Sequence, residues 1–150
     1  MVAHHLEARG IADPLVLGAM GAVPREAFVS EPLKEFAYED SALPIEAGQT
    51  ISQPYIVARM IELLEFAPGD KVLEVGAGSG YAAAVMSRIA GKVHAIERHE
   101  QLAALARSRL GAFGYTNVEI VCADGTRACP SRCRSTRSWF RPADRGYPKP

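Results

Sequence analysis

Between residues 54 and 64 the apolar positions include Ile56, Val57, Met60, Ile61 and Leu64, the i, i+1, i+4, i+5, i+8 spacing of one buried helix face. Pro54 opens this stretch, where its missing N–H costs the helix nothing. An earlier helix begins at Asp13-Pro14, with the aspartate as cap and Leu15, Val16, Ala19 and Met20 among its apolar residues. Val23-Pro24-Arg25-Glu26-Ala27-Phe28-Val29 reads as a turn running into a short amphipathic piece. Residues 36–51 contain Pro44 and Gly48 and few helical signals, so they read as an ordered loop with extended pieces.

Beyond the turn Pro68-Gly69-Asp70 the period changes. Lys71-Val72-Leu73-Glu74-Val75, Val93-His94-Ala95-Ile96-Glu97 and Val118-Glu119-Ile120-Val121-Cys122 read as strands. Between the first two lie a glycine loop at 76–80 and an alanine-rich helix at 81–90. Between the second and third lies a helix marked by Leu102, Leu105, Ala106 and Leu110, ended by the glycines at 111 and 114. Strand and helix alternating at this length predict an α/β fold of Rossmann-like type, with a parallel central sheet, flanking helices and right-handed crossovers.

Composition adds bounds. A chain of 150 residues with 48% hydrophobic and 23% charged residues suits one soluble domain with a real core. Its zero net charge gives no reason to expect nucleic acid or membrane as a partner. No basic segment followed by an apolar run opens the chain, and no apolar stretch approaches the roughly 18 residues of a membrane span. The odd set Cys122, Cys129 and Cys133 points to a reducing, cytoplasmic setting. His4, His5, His94 and His99 are scattered, so no metal is expected. The charge is unevenly spread: residues 1–126 carry 10 Lys and Arg against 16 acids, and residues 127–150 carry seven against one. The chain therefore divides into an N-terminal helical and loop region (1–53), a nucleotide-binding core (54–126) and an Arg/Pro-rich tail (127–150) expected to be disordered.

The sharpest chemical signal is Glu74-Val75-Gly76-Ala77-Gly78-Ser79-Gly80-Tyr81, glycines that leave a strand and open a helix. Gly76, Gly78 and Gly80 let the backbone turn with positive φ and let a ligand approach closely. The spacing is not the Gly-x-Gly-x-x-Gly of a dinucleotide site, which makes an NAD-binding domain the weaker alternative. Glu74 would repel phosphates and suit a cation. S-adenosylmethionine carries a sulfonium, an ammonium and no phosphate. Glu97 ends the second strand, placed to accept both ribose hydroxyls, with Arg98 next to it in the same site. Asp124-Gly125 ends the third strand, where a carboxylate or amide can hold the adenine amino group.

The glycine motif followed by Glu97 resembles class I methyltransferases. More specifically, Leu43-Pro44-Ile45-Glu46-Ala47-Gly48-Gln49-Thr50-Ile51-Ser52-Gln53-Pro54-Tyr55-Ile56-Val57-Ala58 resembles the signature of protein-L-isoaspartate O-methyltransferases, and Val23-Pro24-Arg25-Glu26, Phe28-Val29 and Ala123-Asp124-Gly125 match too. The resemblance covers about residues 6–127. It implies that the Thr-Ile-Ser stretch lies over the cofactor, with Ser52 catalytic and Thr50 and Ile51 beside the cofactor. It also implies methylation of the α-carboxylate of L-isoaspartyl residues in damaged proteins by a monomer, the ester later closing to a succinimide without the enzyme. On the residues alone, Ser52 or Gln53 can instead cap the helix that Pro54 opens. A methyltransferase acting on small molecules and a non-catalytic cofactor-binding remnant are the other readings.

After Thr126 the family pattern stops, and the strands that the family carries there are missing. Residues 127–150 hold six arginines, four prolines and no apolar periodicity. The chain reads as truncated or frame-shifted after about residue 127. Suitable codons for residues 134–146, read two nucleotides later, spell Phe-Asp-Ala-Ile-Leu-Val-Ser-Ala-Gly-Gly-Pro-Arg, an apolar strand followed by a glycine-proline turn. With the tail as written, one edge of a three-stranded sheet is expected to lie open.

Overall fold

The computed structural model describes residues 1–125 and the backbone of 136–140. Helix α1 (Pro14–Ala22) opens at Asp13, whose side chain accepts from the N–H groups of Leu15 at 2.8 Å and Val16 at 3.4 Å. Helix α2 (Pro54–Leu64) buries Val57, Ala58 and Ile61. Ile56, counted into that face by its spacing, is exposed. Short helical segments fill Val2–Leu6, Glu7–Arg9, Arg25–Phe28 and Glu31–Phe36. The loop expected at 36–51 does hold extended pieces: β1 (Leu43–Pro44) and β2 (Thr50–Ile51) pair antiparallel, Leu43 opposite Ile51.

The core is a parallel sheet of β3 (Lys71–Val75), β4 (Lys92–Glu97) and β5 (Val118–Cys122), in the order β5-β4-β3. Helix α3 (Tyr81–Ser87) joins β3 to β4 and is buried along its whole length. Its regular part stops at Ser87, where i+3 bonds of Arg88 N–H to Val85 and Ile89 N–H to Met86 tighten the turn, and a last i+4 bond from Ala90 N–H to Met86 reaches the expected end at residue 90. Helix α4 (Glu100–Ala112) joins β4 to β5. It runs through Gly111, and the backbone turns left-handed only at Gly114, φ +73°. Among the described residues no helix is long and apolar enough to cross a membrane.

The tail departs from expectation. Backbone 136–140 forms a strand, β6 (Thr136–Phe140), parallel to β3 on the side away from β4, with Lys71 opposite Thr136 and Val75 opposite Phe140. The edge expected to lie open is thus paired. The unpaired N–H and C=O groups of β3 accept any extended segment, whatever its side chains. The rest of the tail, with Cys129 and Cys133, lies outside the described residues.

Candidate active site

Strands β3, β4 and β5 run parallel, so Val75, Glu97 and Cys122 end at the same rim of the sheet. The glycine loop is bound to that rim: the N–H groups of Gly76 and Ala77 both donate to the Ile96 carbonyl, at 2.7 and 3.1 Å. Gly76, Gly78 and Gly80 have φ of +91°, +54° and +89°, angles at which an L side chain is strained. A Cβ on Gly80 would also stand 3.2 Å from Ala106 Cβ, so this glycine lets α4 pack against the start of α3. Around Gly76 there is open space instead.

Glu97 is buried, and each carboxylate oxygen accepts one backbone amide: Oε2 from Gly78 and Oε1 from His99, both at 2.9 Å. It anchors the glycine loop while keeping further lone pairs. Glu74 is buried beside it, and its Oε2 has no hydrogen-bond partner. Burial, and then the charge of Glu97, push its pKa well above the ordinary carboxylate value. Gly125 brings the third strand end against the first: a Cβ there would stand 2.3 Å from Val75 Cγ1. Asp124 is exposed at that end. Arg98 is exposed, with Nε donating to His99 Nε2 at 3.2 Å.

Residues 43–51 fold over the loop. Ile45 N–H donates to the Gln49 carbonyl at 2.9 Å, closing the hairpin, and Ile45 Cδ1 lies 3.6 Å from the position of a Cβ on Gly78. Glu46 Oε1 accepts from Arg109 Nη2 on α4 at 2.8 Å, fastening the hairpin to the core. This covering contact is invisible in the sequence, where Ile45 is one apolar residue in a loop. Thr50 is exposed, Ile51 buried and Ser52 half-buried.

The cap of α2 falls to a residue that periodicity could not single out. Gln53 holds the cap position without a side-chain cap bond. Asp40 Oδ1 accepts the Tyr55 N–H at 3.1 Å, while Asp40 Oδ2 and its carbonyl take the Gln53 amide at 2.8 and 2.9 Å. Ser52 is therefore not the cap, and its hydroxyl makes no hydrogen bond among the described residues. A second residue missed from sequence is Arg25, fully buried, whose guanidinium donates to the Ser52 carbonyl at 2.8 Å.

The rim thus offers an orphaned buried carboxylate, a second anchored carboxylate and open space over Gly76. That donor set fits a cationic, phosphate-free nucleoside. Among the described residues no group of three His, Cys, Asp or Glu could hold a metal ion.

The model of the family described as protein-L-isoaspartate(D-aspartate) O-methyltransferase matches residues 1–135. Protein-L-isoaspartate O-methyltransferase 2 of Pelobacter propionicus is 58% identical over 130 residues, 87% of this chain and 58% of its own length. The Roseiflexus sp. protein-L-isoaspartate O-methyltransferase is 60% identical over 122 residues, 81% of this chain and 56% of its own length. The chain thus spans less than two thirds of the length of these curated relatives. Among solved structures, one protein-L-isoaspartate O-methyltransferase superposes with a TM-score of 0.76 at 32% identity, over 88% of this chain and 44% of that one. A Plasmodium falciparum structure assigned to the same enzymes, in complex with S-adenosyl-L-homocysteine, gives 0.69 at 25% identity, over 87% of this chain and 65% of that one.

Proposed function

The chain belongs to the protein-L-isoaspartate(D-aspartate) O-methyltransferase family, and from that membership we propose that its protein transfers a methyl group from S-adenosyl-L-methionine to the α-carboxylate of L-isoaspartyl residues in damaged proteins. The observation that supports the reading is the seat of the 43–51 hairpin on the glycine loop, with Ile45 against Gly78 and Ser52 directly following the hairpin's second strand. The reading extends to a cytoplasmic monomer that meets its protein substrates away from nucleic acid and membrane.

When bound, S-adenosylmethionine supplies an activated methyl group on a positive sulfur. Gly76, Gly78 and Gly80 leave room for its close approach, and the Glu74 carboxylate is suited to its ammonium. Glu97 would hold the ribose hydroxyls and Asp124 and Gly125 the adenine, and Thr50, Ile51 and Arg98 would line the same site. Ser52 donates a hydrogen bond to one oxygen of the acceptor carboxylate and so aims the other. With a reference pKa of about 3.3–3.7 that carboxylate is already ionised at neutral pH, so the site needs no general base. One carbon–sulfur bond is exchanged for one carbon–oxygen bond, leaving a methyl ester and a thioether with no proton moved. Alignment and exclusion of water supply the acceleration, for which well-oriented groups reach effective molarities of about 10⁵–10⁸ M.

The test pairs calorimetry of S-adenosylhomocysteine binding with transfer of tritiated methyl groups to an isoaspartyl peptide and to its aspartyl counterpart. The expected result is label on the isoaspartyl peptide alone. Ser52→Ala should lower transfer by about 10²-fold while leaving nucleoside affinity nearly unchanged. Binding without any transfer would make the chain a cofactor-binding remnant, and equal losses of binding and transfer would reduce Ser52 to a structural residue.

A further inference from the structure

We propose that Arg25 is the positioning residue that sets Ser52 against the glycine loop. The inference deepens the methyl-transfer reading and rests on it for the role of Ser52. Arg25 is wholly buried, and its three nitrogens each hold a different main-chain carbonyl: Nε that of Ala37 at 2.7 Å, Nη1 that of Ser52 at 2.8 Å and Nη2 that of Ser41 at 3.2 Å. The same guanidinium lies 5.0 Å from the ring centroid of Tyr81, the residue that follows Gly80. One rigid, planar group therefore ties the main chain of Ser52 to the first residue of the helix that the glycine loop opens.

Burying a cation is costly, and an apolar residue of similar volume would pack this space more cheaply. Burial lowers the pKa of Arg25, and Tyr81 and Asp40 offset that cost only in part. What the guanidinium alone supplies is five donors in a fixed fork, enough to hold three acceptors at set angles. The next residues are pinned separately, Gln53 and Tyr55 by Asp40. With Ile51 paired to Leu43 before it and these bonds at and after it, the Ser52 main chain is fixed while its hydroxyl stays uncommitted, the condition for a group that must aim a substrate.

The test uses the full chain with Arg25→Lys, which keeps the charge and loses the fork, and Arg25→Gln, which avoids burying an amine should the lysine variant not fold. A misplacement of about 1 Å can cost about 10²-fold in rate, so transfer to the isoaspartyl peptide should fall 10- to 100-fold through kcat, with S-adenosylhomocysteine affinity nearly unchanged. In a Ser52→Ala background the same substitutions should cost little more, because the group being aimed is gone. Full additivity with Ser52→Ala, or parallel loss of affinity and kcat, overturns the proposal. Hydrogen exchange keeps the two readings apart: if the unsubstituted chain transfers no methyl group, the functional reading fails. The positioning claim then stands only if the amides of residues 53 and 55–57 exchange at least tenfold faster in an Arg25 variant while those of β3 and β4 do not change. Unchanged exchange at these amides in a folded variant sinks it.

Discussion

Glu74 carries two conflicting demands. Its carboxyl is buried with one oxygen unpartnered, and burial followed by the charge of Glu97 raises its pKa well above the ordinary carboxylate value. Raised in the folded state, the group contributes stability that is fully present below the unfolded value of about 4.3, and that stability is lost as pH rises through the folded value. The ligand-free chain should therefore lose thermal stability as pH rises from about 5 toward the folded pKa, and Glu74→Gln should flatten that slope and raise Tm on its alkaline side. If the ionised carboxylate pairs with the ligand's ammonium, binding releases a proton. S-adenosylhomocysteine affinity should then climb with pH, and its heat should differ between buffers of high and low ionisation enthalpy. A heat independent of buffer would place Glu74 outside the ligand's reach. Both acids of this pair were legible in the sequence, because strand ends before and after a glycine loop are fixed by period alone. Arg25 and Asp40 were not: their acceptors and donors lie 12 to 27 residues away along the chain. A buried arginine carries no local mark that separates it from a solvated one.

Elements were legible in proportion to their length and periodicity. The helices α1, α2 and α4 and the strands β3, β4 and β5 showed a clear period, and β5 (Val118–Cys122) matches residue for residue. The short 3₁₀ segments at Arg25–Phe28 and Glu31–Phe36 span at most two turns, too few for a period to be read with any precision, so tertiary contacts do most to specify them. Phe28 shows how: it packs edge-on to Tyr81 at 5.6 Å and stacks on Phe113 at 6.5 Å, joining the N-terminal region to α3 and to the end of α4. Phe28→Ala should cost about 3–5 kcal/mol in denaturant unfolding. The two ends of the glycine loop make a sharper comparison. Gly76→Ala and Gly80→Ala each place a Cβ at positive φ, at about 1–2 kcal/mol. Gly80→Ala also pushes into Ala106, so it should destabilise the fold more. Gly76→Ala meets only open space, so it should lower S-adenosylhomocysteine affinity more than it lowers stability. The reverse ranking, read from unfolding and calorimetry on both variants, would move the ligand away from Gly76.

At the scale of the molecule the weak joint is the side of β3 away from β4. The family match ends at residue 135, and the backbone that pairs with β3 begins at Thr136. A strand added there to a parallel sheet with helices on its faces should read as a near-continuous apolar run. Thr136-Arg137-Ser138-Trp139-Phe140 instead brings an arginine and two hydroxyl residues to that edge. Backbone pairing explains why a strand forms at all, since ladder hydrogen bonds do not depend on side-chain identity. It supplies none of the roughly 1.5–3 kcal/mol that each fully buried aliphatic side chain contributes. The alternative frame offers what the sheet asks for, Phe-Asp-Ala-Ile-Leu-Val-Ser in place of residues from 134 onward. Two measurements follow. The nucleotides encoding residues 127–146 should be compatible with that reading at every codon, and a single incompatible codon ends the idea. A chain carrying the alternative segment should unfold at higher denaturant with a steeper transition, because the slope follows the surface buried. If its midpoint and slope equal those of the chain as written, β6 already satisfies the edge, and residues 136–140 are a native part of the sheet.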